Sequence, residues 1–291
     1  MRKHLLSACL AFAVFAGGPA LAADEQPLEN ALAAPYRAQL EEAMRRGREI
    51  FLYDQAAWHA TDQMLADFNN SPDKRLRGYV VVPGDTADKL SVVFFGDVEG
   101  KRVEFARYGV EVDKIVSHTM PAEGARPALS PLAERLIAAR DTAIQELIAQ
   151  KYGFCSEARS NYVLLPPGDY GVISAYFLTP QTENGSYPLG GHFRIDIGAD
   201  GKVVSSRRFM NACFNVDLRN TKDKDGEPIT PEAFFVTHLL DPQPTEIHFF
   251  ESYYIPVEMM IGTTENRLVW DVKQGRILDV ANLPDSPSGK D

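Results

Sequence analysis

Short turn sequences separate most of the β-branched and aromatic runs in this 291-residue chain, and this spacing constrains the fold more than any other feature. Pro83-Gly84-Asp85, Asp97-Val98-Glu99-Gly100 and Ala199-Asp200-Gly201 are each typical of a tight turn between two strands. Strands joined by such short connections pair antiparallel. We therefore predict an α+β fold, with antiparallel sheets built from hairpins and with helices packed on one face.

Three segments carry helical signals. Apolar residues recur at helical spacing over 35–68, and Ser130-Pro131 places a cap and a first-turn proline before a helix over 131–152. Thr230-Pro231-Glu232 has the form of another helix start, so we predict a short helix over 230–240. The remaining C-terminal runs are predicted to be strands, at 245–254, 257–263, 267–272 and 276–280.

Two stretches of similar sequence point to an internal repeat. Residues 79–85 read Tyr-Val-Val-Val-Pro-Gly-Asp and residues 162–169 read Tyr-Val-Leu-Leu-Pro-Pro-Gly-Asp, and each stretch follows a predicted helix. One interpretation is a diverged duplication of a helix-plus-four-strand unit. The other, which we favour narrowly, is that Pro-Gly-Asp is a good turn between any two apolar strands.

The second predicted helix provides the division into segments. Residues 23–128 are predicted to form a helix plus antiparallel strands, and residues 129–283 a helix, antiparallel strands and C-terminal hairpins. The alternative is that both belong to one continuous domain. Residues 284–291, which contain two prolines and two serines, are expected to be a loose tail.

The first 22 residues have the pattern of a secretory signal peptide. A basic start precedes an uncharged apolar run over 5–15, and small residues then favour a cut between Ala22 and Ala23. The run is too short for a permanent span, so we predict no transmembrane span in the mature chain. Lipidation at Cys9 is the alternative, but the apolar run continues beyond that residue. We expect a periplasmic protein, with an extracellular destination as the other option.

The predicted mature chain keeps two cysteines, Cys155 and Cys213. In an oxidising compartment two cysteines have a single possible pairing, so we expect a Cys155–Cys213 disulfide. The alternative is two separate buried thiols. A catalytic thiolate is not expected, because an exported enzyme would have to keep it reduced.

Charge and motifs exclude several classes of function. Acidic residues outnumber basic residues by 40 to 30, and the resulting formal net charge of −10 argues against nucleic acid as a partner. The chain also lacks G-x-S-x-G, H-E-x-x-H, a P-loop, and S-x-x-K followed by its partner motifs. The corresponding hydrolase and nucleotide-binding families are therefore excluded.

A zinc or acid–base site is one hypothesis for the C-terminal half. Glu246 and His248 lie two residues apart in the strand predicted over 245–254, so they would share one face. With His238 and His192 they would offer three imidazoles and a carboxylate, a set that zinc accepts. Without metal, His248 and Glu246 would be an acid–base pair. The alternative is that they are hydrogen-bonded structural groups.

A calcium site is a second hypothesis. Asp223, Asp225, Gly226 and Glu232 match four positions of an EF-hand loop, whose oxygen ligands suit calcium. Thr221 stands at the first position, where an acid is needed. The alternative is a charged surface turn.

Two further groups of residues, each containing aromatic side chains, are candidates for ligand contact. Asp54, Trp58, His59 and Asp62 fall within the first predicted helix, where we expect Trp58 to pack in the core beside Leu65. The second group lies in the strand predicted over 245–254, so its side chains should alternate between two faces and half should be core. This group comprises Phe249, Phe250, Tyr253 and Tyr254.

The hairpin Ala199-Asp200-Gly201-Lys202-Val203-Val204 resembles the closing hairpin of PepSY modules, and the helix-plus-sheet unit is similar to small bacterial envelope modules, including those of cystatin-like topology. We therefore predict a non-catalytic periplasmic protein that binds a partner protein or a small ligand. This prediction rests on the signal-peptide pattern of residues 1–22, on the absence of the catalytic motifs named above, and on the expected disulfide. The alternative is a hydrolase using His248 and Glu246. No cofactor is predicted apart from the zinc or calcium of these hypotheses.

Overall fold

The computed structural model describes residues 30–284, except residues 159, 220, 223, 228 and 230, and it confirms the predicted α+β class. Strand content exceeds helix content, 36% against 26%, as a sequence rich in hairpin turns predicts. Short 3-10 turns occur at Ala34–Tyr36, Glu123–Ala125 and Asp169–Gly171. The longer helices are α1 (Arg37–Asp67), α2 (Pro131–Gln150) and α3 (Glu246–Glu251).

The strands of the described residues form three four-stranded sheets and one two-stranded ribbon. In chain order they are β1 (Leu76–Pro83), β2 (Lys89–Val98), β3 (Lys101–Glu111), β4 (Lys114–Thr119), β5 (Asn161–Leu165), β6 (Ile173–Leu178), β7 (Ser186–Pro188), β8 (Phe193–Ile197), β9 (Val203–Arg208), β10 (Asn215–Asp217), β11 (Ala233–His238), β12 (Glu258–Thr263), β13 (Leu268–Lys273) and β14 (Arg276–Asn282).

The first two sheets share one construction. Helix α1 precedes a sheet of order β1-β2-β3-β4, and α2 precedes a sheet of order β5-β6-β8-β9, with antiparallel neighbours throughout both. The ribbon β7–β10 is an addition to the second unit. This shared order agrees with the helix-plus-four-strand repeat, and its origin by duplication stays a hypothesis.

The matching tyrosines of the two units meet where β1 lies beside β5. The rings of Tyr79 and Tyr162 stack with centroids 4.8 Å apart. The Tyr162 hydroxyl donates to the Tyr79 carbonyl at 2.6 Å, and the Tyr79 hydroxyl donates to the Tyr162 carbonyl at 3.4 Å. Each ring is thus bonded to the other's backbone, which joins the two sheets at equivalent positions.

Strand β1 is buried on both faces. Val81 belongs to the core beneath α1, whereas Val80 and Val82 belong to the core beneath α2. The residues of strand β5 are divided between the same two cores. Neither strand therefore shows the alternation of buried and exposed residues that is typical of a strand with one face in solvent. The core beneath α1 includes Tyr108 and Tyr176, one from each of the segments 23–128 and 129–283.

The long helices begin and end within two residues of the predicted bounds. Helix α1 stops before Asn69 and Asn70, whose φ angles of 50° and 55° are left-handed and cannot continue a helix. Helix α2 begins with the predicted cap, since the Ser130 hydroxyl accepts a hydrogen bond from the Ala133 N–H at 3.2 Å. Lys151, with φ of 54°, ends it.

The helix predicted from Thr230-Pro231-Glu232 to 240 is wrong. Strand β11 occupies most of this segment and pairs parallel with β12, which begins twenty residues after β11 ends. Val236 and His238 are buried, whereas Phe235 and Thr237 are exposed, which is the period of two of a strand. Pairing with a strand distant in sequence therefore outweighs the local cap signal, and β11 to β14 form the third sheet.

The strand predicted over 245–254 is also wrong, because this segment contains α3. All six residues of the helix are buried, so the sequence shows neither an amphipathic helical period nor a strand alternation. Gly47 of α1 permits the close approach of α3. A Cβ atom at Gly47 would lie 2.6 Å from the Phe249 Cβ and 2.8 Å from the Glu246 carbonyl oxygen.

Cys155 and Cys213 form the predicted disulfide, across a sequence separation of 58 residues. It joins the segment after α2 to the segment before β10. A loop of that length closed in the unfolded chain corresponds to about 4 kcal/mol of stabilisation. Within residues 30–284 as described, no helix combines the length and the apolar character needed to cross a membrane.

Candidate functional site

A cavity of about 470 Å³ lies between α1, the start of β5, the segment from the end of β6 to β7, and α3 with the residues after it. We call it the central cleft. Two acids, five aromatic side chains and several neutral polar groups line it. The side chains that define it are those of Asp54, Glu251, Trp58, Tyr79, Tyr187, Phe250, Tyr254, Thr61, Asn161, Thr179 and Gln181.

Asp54 is held in place by neutral hydrogen-bond donors. The Tyr254 hydroxyl donates to Asp54 Oδ2 at 2.7 Å, and the Asn161 amide donates to Oδ1 at 3.5 Å. The Gln55 amide in turn donates to the Tyr254 hydroxyl at 2.8 Å. Burial raises the pKa of Asp54, and the bonds from Tyr254 and Asn161 oppose that rise. Asp54 is thus oriented by neutral groups, and no described residue forms an ion pair with it.

Glu251 is the more unusual of the two acids, since it is 3% exposed and has no hydrogen-bond donor among the described residues. The nearest candidate, His192 Nε2, lies 3.5 Å from Glu251 Oε1. That nitrogen donates instead to the Pro188 carbonyl at 3.0 Å, and burial lowers the pKa of His192 to about 4. Burial, and then the charge of Asp54, raise the pKa of Glu251 well above its usual value.

Aromatic rings form much of the cleft wall. Trp58 is 55% exposed, so the expectation that it packs in the core is wrong; its ring stacks on His59, with centroids 5.1 Å apart. Phe250 meets Tyr254 edge to face at 5.4 Å. No lysine or arginine is among the described residues that line the cleft. The cleft is therefore concave, aromatic and acidic.

Glu246, predicted to pair with His248, bonds elsewhere. Arg194 NH1 lies 2.5 Å from Glu246 Oε1, and the Tyr176 hydroxyl donates to the same oxygen at 3.2 Å. Arg194 also lies 3.2 Å from Asp196. Because residues 246–251 form a helix rather than a strand, Glu246 and His248 do not share a strand face. Glu246 attaches α3 to the second sheet.

The three predicted histidines are close to one another but buried. The rings of His238 and His248 meet edge to face at 4.7 Å, and His238 Nε2 lies 2.9 Å from an Asp241 carboxylate oxygen. His248 Nδ1 accepts from the Thr245 N–H at 3.0 Å, at the start of α3. Burial, and then His238, lower the pKa of His248 well below its usual value. None of these rings lines the central cleft.

The described residues contain no group of three or more His, Cys, Asp and Glu side chains arranged to hold a metal ion. The zinc set of His192, His238, His248 and Glu246 therefore does not assemble as a ligand sphere. Of the calcium candidates, Asp225 and Glu232 are exposed, and Asp223 lies outside the described residues. The cleavage residues Ala22 and Ala23 also lie outside them.

The sequence candidates include four of the eleven side chains that define the cleft: Asp54, Trp58, Phe250 and Tyr254. The sequence pattern favours a structural role for Asp54 and Trp58 on their helix. It does not indicate Glu251, because the pattern predicts a strand for that segment. One signal was present in the sequence: Glu251 is a lone acid inside the aromatic run Phe249-Phe250-Glu251-Ser252-Tyr253-Tyr254, and an acid buried among aromatic groups needs an explanation.

The chain matches no protein-family model, and no curated protein is significantly similar to it. Function must therefore be inferred from the geometry of the site. The central cleft, with its volume of about 470 Å³, its aromatic walls and its two acids, has the features of a binding site for a small molecule.

Proposed function

We propose that this is an exported periplasmic protein without catalytic activity, and that it binds a small ligand in the central cleft. One observation carries the proposal. The Glu251 carboxyl group lines a cavity of about 470 Å³ and is 3% exposed, yet it has no hydrogen-bond donor among the described residues. A buried acid without a partner is unfavourable unless a bound molecule completes its contacts.

The size and lining of the cleft suit a small molecule. Ligand cavities typically measure about 300–1,000 Å³ and combine apolar walls with a few convergent polar groups. The aromatic side chains, among them Trp58 and Phe250, provide the walls. Asp54, Asn161 and Glu251 provide the polar groups.

The alternative, a hydrolase using His248 and Glu246, has less support from the geometry. Glu246 is bonded to Arg194 and Tyr176, and His248 accepts from the backbone of Thr245. Neither side chain lines the central cleft, where a substrate could reach it. Both are better explained as groups that fix the position of α3.

Two features support the proposed location. The pattern of residues 1–22 is that of a secretory signal peptide, and the Cys155–Cys213 disulfide is compatible with an oxidising compartment. A periplasmic binding role also fits the missing catalytic motifs. Fractionation of cells that produce the full chain, followed by N-terminal sequencing, tests both the compartment and the cut before Ala23.

A blocking variant tests the binding role. Thr61 lies on α1 at the cleft, one turn from Trp58, whereas the neighbouring Asp62 is exposed and does not line it. We would screen a mixed library of amines, sugars, alcohols and carboxylic acids by ligand-observed NMR, using the oxidised protein. The proposal predicts hits that Thr61→Trp abolishes and Asp62→Trp retains. Hits that both variants retain, or no hit at all, would contradict it.

A further inference from the structure

The chemical class of the ligand can be inferred from the same cleft, so this inference rests on the proposed function. We propose that the central cleft binds a small organic cation, whose ammonium group lies between the carboxylates of Asp54 and Glu251 and against the aromatic rings. Three features of the cleft favour a cation: the acids that line it, its exposed aromatic surface, and the lack of a hydrogen-bond donor to Glu251 among the described residues.

The charge of the cleft has one sign. Asp54 and Glu251 both line it, and no lysine or arginine is among its described lining residues. Asp54 receives hydrogen bonds from the neutral groups Tyr254 and Asn161, which orient it without cancelling its charge. An anionic ligand would lie against two acids, with no positive side chain among the described lining residues to pair with it, and so would be disfavoured.

The position of Glu251 indicates where the positive charge of the ligand would lie. Its carboxyl group has no donor in the described part of the chain, and the nearest imidazole nitrogen, of His192, is engaged with the Pro188 carbonyl. A desolvated carboxylate is strongly unfavourable unless it is paired. An ammonium group in the cleft would supply both the charge and the N–H donors that the protein does not supply.

The aromatic walls complete the recognition of a cation. Trp58 is 55% exposed, and indole is the ring that attracts cations most strongly through its face. Tyr79 and Tyr254 add phenol rings to the same cavity. A bare metal ion fits less well, because no set of three or more ligating side chains assembles among the described residues. An organic cation makes use of both the acids and the rings.

Isosteric probes separate charge from shape. We would measure the affinity of benzylammonium and of benzyl alcohol by isothermal titration calorimetry, on the oxidised protein at pH 8 and constant ionic strength. The two probes differ by a single group, which is charged in one and neutral in the other. The inference predicts that benzylammonium binds about tenfold more tightly or better, a difference that one charge-assisted bond can produce.

Matched variants locate the effect. Glu251→Gln keeps the shape of the side chain and removes its charge, so it should lower the benzylammonium affinity about tenfold and leave benzyl alcohol unchanged. Asp54→Asn should act in the same direction. Asp62→Asn, which removes an exposed acid of α1 outside the cleft, should change neither affinity by more than about twofold. Thermal unfolding of each variant checks that it is folded.

The outcomes distinguish this inference from the proposed function. Equal affinities for the two probes, or a benzylammonium affinity that Glu251→Gln does not lower, would overturn the cation assignment. If benzyl alcohol or a library sugar binds and Thr61→Trp blocks it, the binding role stands and only the cation assignment falls. If neither probe nor any library compound binds, both fail.

Discussion

The Glu251 carboxylate lies 3.5 Å from His192 Nε2, yet the histidine does not neutralise it. The same Nε2–H donates to the Pro188 carbonyl, and burial lowers the pKa of His192 to about 4, so the ring is neutral at pH 7. Glu251 therefore lines the central cleft as an acid with no positive partner among the described residues, and Asp54 lies on the neighbouring helix. Burying this acid without a partner costs free energy of folding, and a bound cation would offset that cost.

The first prediction concerns the free energy of unfolding, which the buried acid Glu251 lowers. Its pKa in the folded protein is raised well above the ordinary 4.5. The penalty is therefore absent below pH 4.5, grows as the pH rises from 4.5 to the folded pKa, and is fully present above it. Urea unfolding should show Glu251→Gln to be more stable than the natural protein by about 1 kcal/mol or more at pH 8, and not at pH 4.

Asp62→Asn is the control for that experiment, because Asp62 is an exposed acid on α1. It should change the free energy of unfolding by less than about 0.5 kcal/mol at either pH. A stabilisation by Glu251→Gln that is the same at both pH values would mean that the charge of Glu251 is not its cause.

His192 should have the opposite pH dependence. Its folded pKa of about 4 lies below the ordinary 6.5, so the folded state disfavours its protonation and loses stability as the pH falls from 6.5 towards 4. His192→Gln keeps a donor for the Pro188 carbonyl but does not titrate. The natural protein should therefore lose up to about 3 kcal/mol relative to this variant between pH 7 and pH 4. A difference in unfolding free energy that stays constant with pH would contradict the assignment.

Gly47 should be intolerant of the smallest side chain. Glycine to alanine ordinarily stabilises a helix by about 1 kcal/mol. Here the new Cβ would lie 2.6 Å from the Phe249 Cβ, so α3 would have to move away from α1. We expect Gly47→Ala to lower the free energy of unfolding by about 2 kcal/mol, measured by urea unfolding. Gly124→Ala, whose Cβ meets nothing within 4 Å, is the matched control and should be close to neutral.

The disulfide should contribute to stability in proportion to its loop. Replacing both Cys155 and Cys213 by serine should lower the free energy of unfolding by about 4 kcal/mol. Reduction of the natural protein with dithiothreitol should have a similar effect, and should leave the double variant unchanged. If the double variant unfolds at the same urea concentration as the oxidised protein, the loop-closure account is wrong.

Local sequence signals were sufficient for the hairpin sheets and the long helices. Turn residues such as Pro83-Gly84-Asp85 and the Ser130 cap act over a few positions, so they can be read without tertiary context. Strand β11 could not be predicted from local signals, because its parallel partner β12 begins twenty residues after β11 ends. Helix α3 could not be predicted in this way either, because all six of its residues are buried and the sequence lacks the alternation of apolar and polar residues by which an amphipathic helix is recognised.

The candidate site was less predictable than the fold, for a related reason. The central cleft combines α1, β1, the start of β5, the end of β6, β7 and α3, which are brought together only by packing. Asp54 and Trp58 were visible as a pair on one helix, but nothing near them in the sequence indicates that Glu251 completes the cavity. The candidate histidines His192, His238 and His248 are buried near α3 and do not line the cleft.

The most direct test uses the two tryptophans of the chain as reporter and internal control. Trp58 stands in the central cleft, while Trp270 is fully buried in another core and donates to the Thr263 hydroxyl. We would titrate benzylammonium into ¹⁵N-labelled oxidised protein at pH 8 and follow the two indole N–H signals, assigned with Trp58→Phe. The Trp58 signal is predicted to shift and saturate while the Trp270 signal stays in place. If the Trp58 signal does not move, or if both move together, the central cleft is not the binding site for this cation.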